Sequence, residues 1–282
     1  MKEIKTRIKS VESTKQITKA MELVASSKFR KAKEKAQSSR PYFETLYDTV
    51  QDIAKNTSGS KNILLKERKV NNVCYIVIAG DRGLAGGYNS NIFKAVKAHN
   101  QLDTAKVVSI GKRAKDTLSK RGYEIIDSIP SVEEAVYEDA NRVAQVVMEA
   151  FKKGEIDEVN LVYTQFKSAL DQEPTVVKLL PVTIDNKQTK EDVKKGKAAV
   201  QYLPSADAVL GYVLPKYVSG SVYGAIAESY ASEQAARKTA MESATDNANE
   251  MISKLELIYN RARQAAVTQE ISEIVAGAAS AQ

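Results

Sequence analysis

The sequence predicts an α/β fold. A Rossmann-like, mostly parallel sheet domain is inserted between two long terminal helices that form an antiparallel coiled coil. Three observations point to it. Met241, Ala244, Ala248, Met251, Leu255, Ile258, Ala262 and Ala265 recur at alternating steps of three and four, the a and d spacing of a heptad seam. Ile4, Ile8 and Val11, then Ile17, Met21 and Val24, mark an amphipathic helix at the opposite end of the chain. Strand and helix patterns alternate between the two. Helices that leave the same end of one domain can pair only antiparallel, as a stalk.

Taken in order, the chain divides into residues 1–57, 73–204 and 205–282. Residues 2–57 are rich in Ala, Lys, Glu and Leu and read as helix, with Pro41 expected to kink it or to end its first section near Arg40. Thr57-Ser58-Gly59-Ser60 reads as a break. Val73–Ala79 is a β-rich run suited to a buried strand, followed by a Gly-rich loop from Gly80 to Gly87. Residues 89–99 and 112–120 read as helices, with strands at Lys106–Ile110 and Glu124–Asp127. Ser131–Lys152 reads as a helix opened by a capping box of Ser131 and Glu134. Glu158–Thr164 and Thr175–Ile184 are two strands with no helix between them, so that edge is expected to be antiparallel. Asp185–Lys197 is charged and reads as an exposed loop. The last helix starts at Ser205 or Asp207. Gly211, Pro215, Gly220 and Gly224 are expected to weaken its first turns. Over residues 207–278 it would be roughly 100 Å long at ~1.5 Å per residue, too long to be a core helix of its own chain.

The net charge of +7 is unevenly placed. Residues 1–40 hold 12 Lys/Arg against 4 Asp/Glu, and the remainder 30 against 31, so the positive excess lies on the first helix. Lys28, Arg30, Lys31, Lys33 and Lys35 are its densest part. This is either a solvated helix face or a surface that meets an acidic partner or nucleic acid. The single cysteine, Cys74, sits in an apolar run and rules out a disulfide within one chain. The first residues lack the apolar core of a signal peptide, and no stretch approaches ~18 apolar residues. The expected place is the cytosol, or the surface of a membrane complex.

Catalytic constellations are not found. The loop Gly80-Asp81-Arg82-Gly83-Leu84-Ala85-Gly86-Gly87 stands where a phosphate cradle would, after a strand and before a helix. Its order is G-x-x-G-x-x-G-G, with no Gly-Lys-Ser/Thr after it, so a structural turn is the better reading. His99 is the only histidine and reads as a surface residue. Glu133, Glu134, Glu138 and Asp139 sit at helix spacing as solvated charge. No catalytic residue, cofactor or metal site is expected. Two other functions stay open on these residues alone. One is a nucleic-acid-binding coiled coil working through the basic helix, against which the scarcity of aromatics there counts, Phe29 being alone. The other is a nucleotide-dependent enzyme using the Gly-rich loop.

A set of motifs decides among them. Ile17-Thr18-Lys19-Ala20-Met21-Glu22-Leu23-Val24-Ala25-Ser26-Ser27-Lys28, Asp81-Arg82-Gly83-Leu84-Ala85-Gly86, and Ser232-Glu233-Gln234-Ala235-Ala236-Arg237 with Ala240-Met241 are three of them. Ala244-Thr245-Asp246-Asn247-Ala248, Asn260-Arg261-Ala262-Arg263-Gln264, Thr268-Gln269-Glu270-Ile271 and Glu273-Ile274-Val275-Ala276-Gly277-Ala278 complete the set. The chain resembles, along its length, the gamma subunit family of bacterial-type F-type ATP synthases. Ala85 departs from the family, which often has Cys there. The resemblance implies a non-catalytic rotor shaft standing inside a ring of alpha and beta subunits. Its α/β domain would sit against the epsilon subunit and the membrane ring of c subunits. Such a protein needs no nucleic acid, and it would be held at the cytoplasmic face of the membrane only through its complex. By the same resemblance Met21, Arg237, Gln264, Thr268 and Glu270 are rotor contacts with beta. Lys28, Arg30, Lys31 and Lys33 would face an acidic beta loop.

Overall fold

The computed structural model describes residues 1–55, 62–100, 105–168, 171–184 and 202–280, with side chains to residue 276. The elements run α1 (Lys2–Lys55), a short 3-10 turn (Ile63–Leu65), β1 (Val73–Ile78), α2 (Tyr88–His99), β2 (Ala105–Ile110) and α3 (Lys112–Lys120). They continue with β3 (Glu124–Ile129), α4 (Tyr137–Lys153), β4 (Glu158–Phe166), β5 (Gln172–Leu180) and α5 (Ala206–Ser280). The expected break at 57–60 and the charged loop at 185–197 lie outside the described residues. Two compact units form: Met1–Ser26 with Arg237–Gln282, and Ser27–Ala236.

The larger unit is built on one sheet in the order β3-β2-β1-β4-β5. The first four strands are parallel, and β5 runs antiparallel beside β4, as expected for strands joined without a helix. Alternation sorts the side chains by face. Val73, Tyr75 and Val77 face α2 and α3, with Ile92, Phe93 and Leu118. Cys74, Ile76 and Ile78 face α4, with Val143, Val147 and Phe151, and the parts of α1 and α5 in this unit, with Val50, Ile53, Leu210, Leu214 and Val218. Right-handed crossovers explain the split. β1 to β2 to β3 steps one way along the sheet and β3 to β4 steps back, which puts α4 on the other face.

Several boundaries differ from the sequence reading, each for a local reason. α4 begins at Tyr137 instead of Ser131. Ser131 Oγ donates to Asp81 (2.8 Å) and the Val132 N–H also binds that carboxylate, so this segment belongs to the Gly-rich loop. Glu134 N–H does reach Ser131 Oγ at 3.3 Å, but the helix is capped later, where Asp139 accepts the Val136 N–H. β5 is shifted toward the hairpin and stops at Leu180, because Pro181 follows and has no N–H to give. Pro41 does not end α1, and α5 runs through Gly211, Pro215, Gly220 and Gly224. At Gly220 and Gly224 Phe43 supplies the reason. A Cβ at Gly220 or Gly224 would come within 3.0 or 2.9 Å of its ring, so these glycines admit the aromatic side chain that holds the two helices together. Phe43 is half-buried there, and part of the ~1.5–3 kcal/mol of full Phe burial offsets much of the ~1 kcal/mol that a helical glycine costs. Ser205 Oγ caps the start of α5 by accepting from Ala208 N–H at 3.2 Å.

The smaller unit pairs the start of α1 with the end of α5. Thr18 and Thr245 hydroxyls are 2.8 Å apart, and Lys5, Ile8 and Glu12 share a gap with Glu256 and Tyr259. Rising numbers on one helix meet falling... positions on the other, so the pairing is antiparallel. On α1 the inward stripe is Ile4, Ile8, Val11, Lys15, Thr18, Met21 with Glu22, and Ala25, whereas Ile17 and Val24 are exposed. On α5 it is Met241, Ala244 with Thr245, Ala248, Ile252, Leu255, Tyr259, Ala262 and Ala266. Met251, Ile258 and Ala265 therefore lie on the exposed side, and their neighbours one residue on take the inner places. A heptad repeat drifts ~20° per turn of the pattern on a straight helix. The drift carries Met251, Ile258 and Ala265 progressively off the stripe and brings Ile252, Tyr259 and Ala266 onto it.

Candidate functional site

The residues with functional promise are a surface set, presented by helices. Gln264, Thr268 and Glu270 are all exposed. Around them Val267, Ile271, Ile274 and Val275 are exposed as well, each by about half or more of its surface. The inward stripe ends at Ala266, and α5 continues to Ser280 with no side chain described beyond that point buried. Apolar side chains in a row at a helix end are costly in water at ~25 cal/mol per Å², and they mark a surface for another protein.

The basic cluster is divided by its packing. Lys28 Nζ holds both Glu133 oxygens, at 2.6 and 2.8 Å. Burial pushes the Glu133 carboxyl up, but hydrogen bonds from Lys28 and Tyr230 overcome this and hold it below its ordinary value. Lys35 lies 5.2 Å from the centre of the Tyr223 ring, a cation–π contact. Arg30, Lys31 and Lys33 are exposed. They are the part of the cluster open to an acidic partner. Met21 is half-buried, and Arg237 is only 9% exposed within the coil unit, so neither presents itself as Gln264 and Thr268 do. Lys19 on the same unit has its pKa raised by its hydrogen bond to Glu22.

The Gly-rich loop is a braced turn. Asn89 Oδ1 accepts the Gly80 N–H (2.8 Å), and its amide donates to Arg82 O. Asp81 turns inward to Ser131 and Val132. Leu84 sits at φ 61 and is 63% exposed, while Ala85 is buried. The carboxylate of Glu233 on α5, itself buried, stands against Gly80, where a Cβ would come within 2.8 Å of it. A phosphate drawn to this loop would find the Glu233 carboxyl already standing against its first glycine. The sequence carried a sign of this in the block Ser229–Gln234, whose polar residues repeat at helix spacing, but the face they turn to shows only in three dimensions.

The other isolated groups are structural. His99 Nδ1 lies 3.0 Å from the hydroxyl of Tyr75, whose pKa burial pushes up to about 12. Cys74 is fully buried, and burial pushes its thiol up to about 12, far from the reactive range. Among the described residues no group of His, Cys, Asp or Glu has the makings of a metal site, and no helix is long and apolar enough to cross a membrane.

Known proteins match this chain along nearly its whole length. A family model described as ATP synthase matches residues 1–281. The ATP synthase gamma chain of Alkaliphilus metalliredigens is 47% identical over 99% of this chain and 97% of its own. That of Ruminococcus albus is 49% identical over 97% and 96%. The gamma chain of Acetobacterium woodii, named sodium ion specific, is 46% identical over 99% and 97%. Among solved structures, a chain of the Tetrahymena thermophila mitochondrial ATP synthase central stalk and c-ring matches with a TM-score of 0.60. It is 25% identical, with 81% of this chain and 99% of that one covered. A chain of the Euglena gracilis mitochondrial ATP synthase has the same fold at a TM-score of 0.66 and 19% identity, over 97% and 92%. On relatives that match from end to end at nearly half identity, this chain belongs to the ATP synthase gamma chain family.

Proposed function

We propose that the chain is the central rotor shaft of an F-type ATP synthase. It couples proton-driven rotation of the membrane ring to conformational changes at the catalytic beta subunits, or the reverse when ATP is hydrolysed. The observation that carries this reading is the bare end of α5. Apolar Val267, Ile271, Ile274 and Val275 alternate there with polar Gln264, Thr268 and Glu270, a surface made to turn inside a sleeve. The sleeve is the ring of alpha and beta subunits. The sheet unit meets epsilon and the c ring, which holds the chain at the cytoplasmic face of the membrane as a peripheral subunit. The choice of ion belongs to the membrane subunits, which fits a family with a sodium-specific member. The shaft carries no cofactor and does no chemistry itself. No observation favours the nucleic-acid reading.

Direct observation of rotation tests this. Cys74 is buried and unreactive, so a thiol placed on the exposed end of α3 by Lys120→Cys is the one that takes a label in this chain. With the catalytic head fixed to a surface, a bead on that thiol is expected to turn in one direction on addition of ATP. A bead that stays still while ATP is hydrolysed overturns the rotor reading.

The exposed cations supply a second expectation. Arg30, Lys31 and Lys33, all replaced by Gln, should weaken assembly with the head or slow its turnover at low salt. The deficit should close as ionic strength rises, because exposed charges are screened over ~10 Å at 0.1 M. ATP turnover equal to the parent's at low salt would reduce these side chains to a solvated face.

A further inference from the structure

We infer that the crevice at the carboxyl ends of β1 and β4 is a mechanical seat for α5, one that keeps the sheet unit from slipping on the shaft helix. The inference rests on the rotor reading above. In open parallel sheets this crevice is where the chain connections reverse direction, and it is the usual place for a ligand. Here β1 steps to β2 on one side while β4 lies on the other, so the crevice falls between them. Its occupant is the chain's own helix.

Thr164 shows how the helix is held. β1 pairs with β4 only as far as Val77 opposite Val162, so Thr164 lies beyond the reach of β1. On the other side its partner is Pro174, which has no N–H. Both backbone groups of Thr164 turn instead to α5. Its N–H donates to Ser229 Oγ at 3.1 Å, and Ser232 Oγ donates to its carbonyl at 3.3 Å. Two serines three residues apart on one helix face thus stand in for a missing strand. Both are fully buried, where such bonds exclude water.

Two more elements of the sheet unit close on the same turn of α5. The Tyr88 hydroxyl, at the start of α2, donates to the Ser229 carbonyl at 3.1 Å. Glu233 fills the space over Gly80 at the end of β1, so closely that any larger residue at 80 would strike it. One helical turn is therefore tied to β4, to the loop after β1 and to α2. These ties run across the helix axis, the direction that resists twisting of the sheet unit about α5. A rotor whose foot is driven at the sheet unit needs such a joint, because slippage there would waste the drive. The Gly-rich loop keeps its place in the fold but holds a helix in place of a phosphate.

The test uses the complete complex in membrane vesicles, carrying Ser229→Ala with Ser232→Ala. Amide exchange at Thr164 is expected to quicken at least tenfold, with the amides of β2 unchanged. The number of ions pumped per ATP hydrolysed is expected to fall at least twofold, while hydrolysis itself continues. Should the double variant not assemble, Ser232→Ala alone, which removes the longer contact, is expected to show a smaller fall in the same ratio. An unchanged ratio in a variant with quickened exchange overturns the seat. A parent complex that neither turns its bead nor pumps overturns the rotor reading instead, so the two failures are distinct.

Discussion

Gly111→Ala is expected to destabilise the sheet unit by ~3 kcal/mol or more, the range of backbone strain and overpacking combined. Gly111 joins β2 to α3 at φ 92 and ψ 148, a region open essentially to glycine alone. A Cβ there would stand 2.0 Å from the Ala79 carbonyl oxygen and 2.8 Å from a Val132 methyl. The backbone cannot yield, since Gly111 N–H is bonded to Ile129 O at 2.9 Å and Ala79 N–H to Ile110 O at 3.0 Å. Relief of the clash would open the sheet at three strands. Urea unfolding followed by the near-ultraviolet signal of the tyrosines measures it, with the midpoint expected to fall by ~1 M or more. Gly122→Ala is the control. Gly122 also has positive φ, 85, but open space around its Cβ position, so its cost should be only about 1 kcal/mol. Equal midpoints for the two variants would mean that the packing around Gly111 relaxes and that only the backbone angle counts.

How much of this was legible in the sequence depends on whether the signal is local. The strands of the sheet are short β-rich runs between turn residues, and the antiparallel edge follows from the lack of a helix between β4 and β5, so the α/β class could be read directly. Capping was harder. Ser131 with Glu134 has the form of a helix start, and a hydrogen bond of that form exists, but Asp81, fifty residues away, claims Ser131 for the loop. Helix breakers misled in the same way. Gly220 and Gly224 are unfavourable in an isolated helix, and only the position of Phe43 reveals why they are tolerated. The coil stripe was readable in period but not in phase. Met241, Ala248, Leu255 and Ala262 belong to either of two heptad registers, and the choice between Met251 and Ile252 depends on how far the helix departs from ideal supercoiling. The residues proposed for docking carry no local signal of their own. Gln264 and Thr268 are ordinary exposed residues of a helix, and they gain meaning from family resemblance and from the bare apolar surface beside them.

Replacing Gln264, Thr268 and Glu270 together by Ala is expected to cut ATP turnover of the assembled complex several-fold or more. Gln264 and Thr268 are four residues apart and share one face of α5, while Glu270 points nearly opposite. Glu270 lies past Ala266, where the inward stripe ends, so it is exposed despite its phase. The helix does not depend on these side chains. In this segment Ser272 Oγ donates to the Thr268 carbonyl and the Gln269 amide to the Glu273 carboxylate, and the triple variant leaves all of those groups in place. Ala is also the strongest helix former, so helical content and melting of the isolated chain should barely change. On the rotor reading proposed above, what the variant removes is a set of outward hydrogen bonds to the surrounding beta subunits, worth roughly 0.5–1.5 kcal/mol each and more where a charge takes part. Faces on opposite sides of one shaft would hold different subunits at the same moment, and that asymmetry lets a single rotor put like catalytic sites into unlike states. Loss of both faces should therefore slow turnover more than loss of Glu270 alone. Normal turnover in the triple variant, or melting of the coil itself, would show that these residues serve the helix and not its neighbours.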